Sequence, residues 1–63
     1  MTTIKMNDGR TQYDVKEDFN DICWFLSNAN KYGNYFIQLT DTQLGEVLLS
    51  INNILSVRAT NNV

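Results

Sequence analysis

Ile4 and Met6, and then Tyr13 and Val15, alternate with polar neighbours on either side of Asn7-Asp8-Gly9-Arg10. A period of two places these four residues on one face of a strand pair. Asp-Gly between two alternating runs is a hairpin signal, because the tightest turns ask for positive φ at both central residues. A two-residue Asp8-Gly9 loop pairs Met6 with Thr11 and Ile4 with Tyr13.

The period then changes. At about 100° per residue, Phe19, Ile22, Cys23, Leu26 and Ala29 fall in one stripe with Phe25 at its edge, which predicts a helix from Asp18 to about Ala29. Asp18 supplies the cap, and Asp21 places negative charge in the first turn, where the helix dipole favours it. Asn20, Asp21, Ser27 and Asn28 lie away from the stripe, and so does Trp24, the one large apolar side chain out of place. Asn30-Lys31-Tyr32-Gly33-Asn34 reads as the stop, with Gly33 available for a left-handed backbone.

Three more strands are predicted. Tyr35 to Leu39 sets Tyr35, Ile37 and Leu39 on one face and Phe36 and Gln38 on the other. After a turn at Thr40-Asp41-Thr42-Gln43, Glu46 to Ile51 carries Val47, Leu49 and Ile51 on one side, and a last strand runs from about Leu55 to Ala59. A two-residue Asn52-Asn53 loop would face Leu49 with Ser56. A three-residue loop, Asn52-Asn53-Ile54, pairs Ile51 with Leu55, Leu49 with Val57 and Val47 with Ala59, and is preferred on that ground.

The expected fold is therefore α+β in the order β-β-α-β-β-β: a leading hairpin, one helix and a three-stranded meander. Residues 1–63 form one domain with one mostly antiparallel sheet and the helix packed across one face, and residues 60–63 are a frayed tail. The uncovered side of the sheet keeps Phe36 and Leu48, with Gln38, Ser50 and Ser56 among them.

Size sharpens this picture. A chain of 63 residues buries only about 60% of its unfolded surface, so stability is marginal and extra support is expected. One cysteine allows no internal disulfide, and with no histidine the ligands of a structural zinc site are missing. The opening Met1-Thr2-Thr3-Ile4-Lys5-Met6 is too short and polar for a signal peptide, and no apolar run approaches the roughly 20 residues of a membrane span. A cytoplasmic protein is expected. Five basic and seven acidic residues, net −2, make neither a basic nucleic-acid footprint nor a strongly acidic surface. Frequent asparagine without proline is similar to the bias of short accessory reading frames in AT-rich bacterial and bacteriophage genomes.

Candidate chemistry is sparse. Glu17, Asp18 and Asp21, with Asp14 nearby, could hold a hard cation, but their spacing is not that of an EF-hand loop and acids at a helix start follow from the dipole. Cys23 has no histidine to activate it and lies in the apolar stripe. Asn7-Asp8-Gly9-Arg10 has one glycine and is a turn, not a phosphate cradle. No catalytic residue, metal or cofactor is expected, and the chain is read as a non-enzyme. Tyr13, Tyr32, Tyr35 and Phe36 with Lys5, Lys16, Lys31 and Arg58 could form an aromatic, basic surface for nucleic acid. Tyr13 and Tyr35, however, fall on predicted core faces, and the cations are scattered.

Trp24, Phe36 and Leu48 remain as apolar groups that a single helix on a single sheet face does not bury. They are the candidate interface residues, since tryptophan is enriched among interface hot spots. The resulting expectation is a small interaction module, working as a homo-oligomer, most simply a dimer, and acting on a protein partner in the manner of a phage-type accessory or inhibitor protein. Nucleic-acid binding or sequestration of a small ligand is the competing class.

Overall fold

Strand β1 (Thr2–Met6) and strand β2 (Gln12–Val15) form the leading hairpin, in the register Ile4 opposite Tyr13. The protein is described by a computed structural model over residues 1–60. The Met6 carbonyl accepts from the Gly9 N–H, and within this turn only Gly9 takes positive φ, at 75°. Asp8 keeps ordinary φ, so the turn is not the tight form with two left-handed residues. Its carboxylate accepts instead from the N–H groups of Arg10 and Thr11, each at 2.8 Å, and from the Thr11 hydroxyl. Such side-chain capping of a turn by aspartate removes the need for a left-handed Asp8.

Helix α1 (Phe19–Asn28) starts at Asp18, whose carboxylate accepts from the Asn20 N–H, and is closed at Ala29. Ile22 and Ala29 are buried, Phe25 and Leu26 pack against the core, and Asn20, Asp21, Trp24 and Ser27 face outward. Beyond the helix Gly33 has φ 69°, and the Asn34 N–H returns to the Ala29 carbonyl at 2.9 Å. Strand β3 (Phe36–Asp41) pairs with β4 (Gly45–Ser50) from Phe36 opposite Ser50 to Asp41 opposite Gly45. Ile37, Leu39 and Leu49 join Ile4, Val15 and Ile22 in the core. Tyr35, expected on the core face, precedes the strand and is exposed, because the chain is still leaving the turn after α1 there.

The last strand is the main correction. Strand β5 (Ile54–Ala59) does not extend a meander beside β4 but pairs with β1, giving the order β4-β3-β2-β1-β5. The connection is a 3-10 turn, Ile51–Asn53, not the loop Asn52-Asn53-Ile54. The chain from Ser50 to Ile54 reaches at most about 14 Å, whereas the outer strands of a flat five-stranded sheet stand about 19 Å apart. The sheet must therefore curl until its two edges approach. The Ile51 N–H reaches the Tyr35 carbonyl (3.0 Å) and the Asn7 N–H reaches the Asn53 carbonyl (2.8 Å), tying that end together.

The pairing of β5 with β1 contains a bulge. Met6 faces Ile54 but Lys5 faces Ser56, so Leu55 is the additional residue. This break in alternation lets Ile54 and Val57 both pack on the core, while Leu55 stays 61% exposed. The Thr60 N–H donates to the Met1 carbonyl at 2.9 Å, and Thr60 also hydrogen-bonds the Thr3 hydroxyl. The rest of the expected frayed tail lies outside the described residues. No helix among the described residues is long and apolar enough to cross a membrane.

The topology separates two substitutions. Ile4→Ala, in the buried centre, should lower unfolding free energy by about 2–5 kcal/mol in urea titrations, and Leu55→Ala should change it by less than about 0.5 kcal/mol. A large cost at Leu55 would instead favour the meander, which turns that residue inward opposite Ile51.

Candidate functional site: a groove where two strands part

Strands β2 and β3 are paired at a single position, Val15 opposite Asp41, because the chain must leave the sheet at Lys16 to begin α1. Side chains take over where the ladder stops. The Glu17 carboxylate accepts from the Thr40 N–H at 2.8 Å and from the Thr40 hydroxyl at 2.9 Å, while the Lys16 N–H donates to the Thr40 carbonyl. Asp41 works from the other strand. One carboxylate oxygen accepts from the Asp14 N–H (3.2 Å), and the other accepts from the N–H groups of Gln43 and Leu44, which shapes the β3–β4 turn.

Past Thr40 the strands separate, and a groove of about 450 Å³ opens between α1 and the β3–β4 pair. Ile22 and Phe25 line its helix side, and Phe36, Gln38 and Leu48 its sheet side. Phe36 and Leu48 are 56% and 65% exposed. They share the outer face of adjoining strands, with Gln38 directly opposite Leu48. Two carboxylates, Glu17 and Asp21, also border the groove.

Hydrogen bonds set the charge state of the carboxylates near the junction. Partial burial pushes the Glu17 carboxyl up, but the bonds from Thr40 and the nearby Lys16 charge outweigh it and leave the group below its ordinary range. Asp41 is also held low, first by the Leu44 and Gln43 N–H groups. At the far hairpin the Thr11 hydroxyl and N–H draw Asp8 down to about 2. All three favour the ionised form.

Of the candidate interface residues, Phe36 and Leu48 are brought together at the groove. Trp24 is 60% exposed on the outward face of α1 and is not among the groove-lining residues. Gln38 was expected on this side of the sheet, whereas Phe25 and the two bordering carboxylates were not singled out by sequence for this surface; the signal for Glu17 would have been its place where β2 ends. The acids Asp14, Glu17, Asp18 and Asp21 are divided among separate tasks, with Asp14 accepting from the Thr3 hydroxyl and Asp18 capping α1. Among the described residues, no group of three or more His, Cys, Asp or Glu side chains is placed to hold a metal ion. Cys23 is a free, half-buried thiol. On the outer face of β1, β2 and β5, a smaller depression of about 210 Å³ is lined by Lys5 and Arg58 with Thr3, Gln12 and Ser56.

Because the folded-state acidity of Glu17 is raised, its stabilising contribution is complete above the ordinary glutamate range near 4.5 and disappears as pH falls through the lowered value. Glu17→Gln should cost about 1 kcal/mol near neutral pH. The variant should also lose less stability than the wild type in urea titrations compared at pH 6 and pH 3. Equal losses in the two proteins would remove Glu17 from the acid response.

In comparisons with known proteins, no family model, no curated protein and no solved structure matches this chain.

Proposed function

We propose that the protein is a non-enzymatic interaction module that docks a protein partner on the face formed by Phe36 and Leu48 beside the groove. The observation carrying this reading is the pairing of two large exposed apolar side chains at a concave site with polar groups at its border. The core is complete without them, since its buried members are Ile4, Val15, Ile22, Ile37, Leu39 and Leu49. Both are already partly covered, so burying what remains exposed contributes about 1–2 kcal/mol each, a share of what docking entropy costs, with the rest falling to other contacts. A partner on this face would serve the accessory or inhibitory role expected from size and composition, by occupying a host protein's surface.

Trp24 is proposed as a second contact, through which the module forms a homodimer. Its support is the position of an exposed indole on the helix face away from the core. Nucleic acid is the less favoured occupant. Tyr32, Tyr35 and Phe36 are exposed, but Glu17 and Asp21 border the adjoining groove, and the Lys5–Arg58 depression has no lining aromatic.

Affinity capture from an extract of the native host should retain a protein on the wild-type chain and lose it on a folded Phe36→Asp/Leu48→Asp variant. Retention unaffected by the double variant, or retention of nucleic acid alone, would count against the docking face. For the dimer, sedimentation equilibrium should give a dimer mass that Trp24→Ala reduces to a monomer, with a melting temperature that rises with wild-type concentration. A monomer mass at hundreds of micromolar wild-type protein would remove the dimer.

A further inference from the structure

Strand β3 has hydrogen-bonding groups on its α1 side that no neighbouring strand fills. Thr40 directs its N–H and C=O toward β2, to Glu17 and Lys16 respectively. Backbone direction alternates along a strand, so Gln38 and Phe36 direct theirs to the same side. The Tyr35 carbonyl, bonded to the Ile51 N–H on the opposite side, fixes the same phase from the other end. A continued β2 would lie against Gln38 and Phe36, but β2 has ended at Val15 and the groove stands in its place.

We infer that this groove accepts an extended peptide segment of a partner protein as an added strand beside Phe36 and Gln38. The segment carries apolar side chains over Phe25, Phe36 and Leu48 and a lysine or arginine beside Glu17 and Asp21. This inference rests on the interaction reading above and gives the form and chemistry of the partner. Residues Phe36 to Leu39 offer about 13 Å of strand. Along it the N–H and C=O of Phe36 and Gln38 supply main-chain bonds, while the flanking apolar groups read alternate side chains. A helical ligand would leave those main-chain groups unmatched. Charge selects further: the groove lining contains two carboxylates and neither lysine nor arginine, so it complements a basic segment and not an acidic one. A second copy of this chain, itself at net −2, is the poorer electrostatic match.

A displayed library of random peptides selected on the immobilised full chain tests this directly, with synthetic peptides from enriched clones then titrated into isotope-labelled protein. The expected sequences alternate apolar residues and contain a lysine or arginine, and their binding shifts the Phe36 and Gln38 amide resonances and slows exchange at both. Replacing the basic residue by alanine should weaken binding, by less at high salt. Gln38→Pro removes the N–H facing the groove while the bonds of Ile37 and Leu39 to β4 remain, and should weaken binding about tenfold or more. If that variant fails to fold, the amide response of the wild type decides. Failure to enrich any peptide, or peptides that bind without perturbing Phe36 and Gln38, overturns strand addition. Protection of the same amides on raising protein concentration alone identifies a second copy as the occupant and also overturns it. Host-protein capture sensitive to Phe36→Asp/Leu48→Asp would survive any of these results, separating failure of the strand mode from failure of the interaction reading.

Discussion

The early parting of β2 from β3 is the constraint from which the other features follow. A four-residue strand meets its neighbour at one position and then must yield the chain to a helix. Two backbone bonds flank that position, from the Lys16 N–H to the Thr40 carbonyl and from the Thr42 N–H to the Asp14 carbonyl, each at 2.9 Å, and the pairing goes no further. Glu17 and Asp41 close this seam by accepting from backbone N–H groups across the gap, Glu17 from Thr40 and Asp41 from Asp14. The Glu17 bond, at 2.8 Å, has the short length of a charge-assisted one, whereas that to Asp41 is longer at 3.2 Å. Thr2 adds a further tie, its buried hydroxyl donating to the Glu17 carbonyl at 2.8 Å.

The two sides of the sheet then acquire different characters. Toward the inside, strand register sets Val57 opposite Ile4 and Val47 opposite Leu39, and Ile22 from the helix joins the same core. Outside, β1, β2 and β5 present Thr3, Lys5, Gln12 and Arg58, whereas β3 and β4 present Phe36, Gln38 and Leu48 beside the groove. A domain this small has little apolar surface to spare. Phe36 and Leu48 are left largely in water on that side.

Much of this was legible from residue pattern. Ile4, Met6, Tyr13 and Val15 alternate without interruption, and Asp18 precedes a clean helical stripe, so the hairpin and α1 follow from local rules. The exposed phase of Phe36 and Leu48 follows from strand alternation in the same way. The position of β5 was not legible, because Leu55, Val57 and Ala59 alternate as well as any regular strand. Only the bulge at Leu55, a consequence of pairing with β1, lets Ile54 turn inward with Val57. The groove was hidden for a related reason. Acids at a helix start satisfy the dipole wherever they stand, and only the three-dimensional course of β3 shows that Glu17 also replaces a missing strand neighbour.

Hydrogen exchange of the free protein, resolved by residue along β3, tests the seam most directly. The Thr40 amide, bonded to Glu17, should exchange more slowly than those of Gln38 and Phe36, which should exchange near the rate of unstructured chain, and Glu17→Gln should narrow the difference. Ile37 and Leu39, on the β4 side of the ladder, should be the slowest of the strand. Exchange at Gln38 and Phe36 as slow as at Ile37 would mean that the edge of β3 is already filled, and would contradict the account.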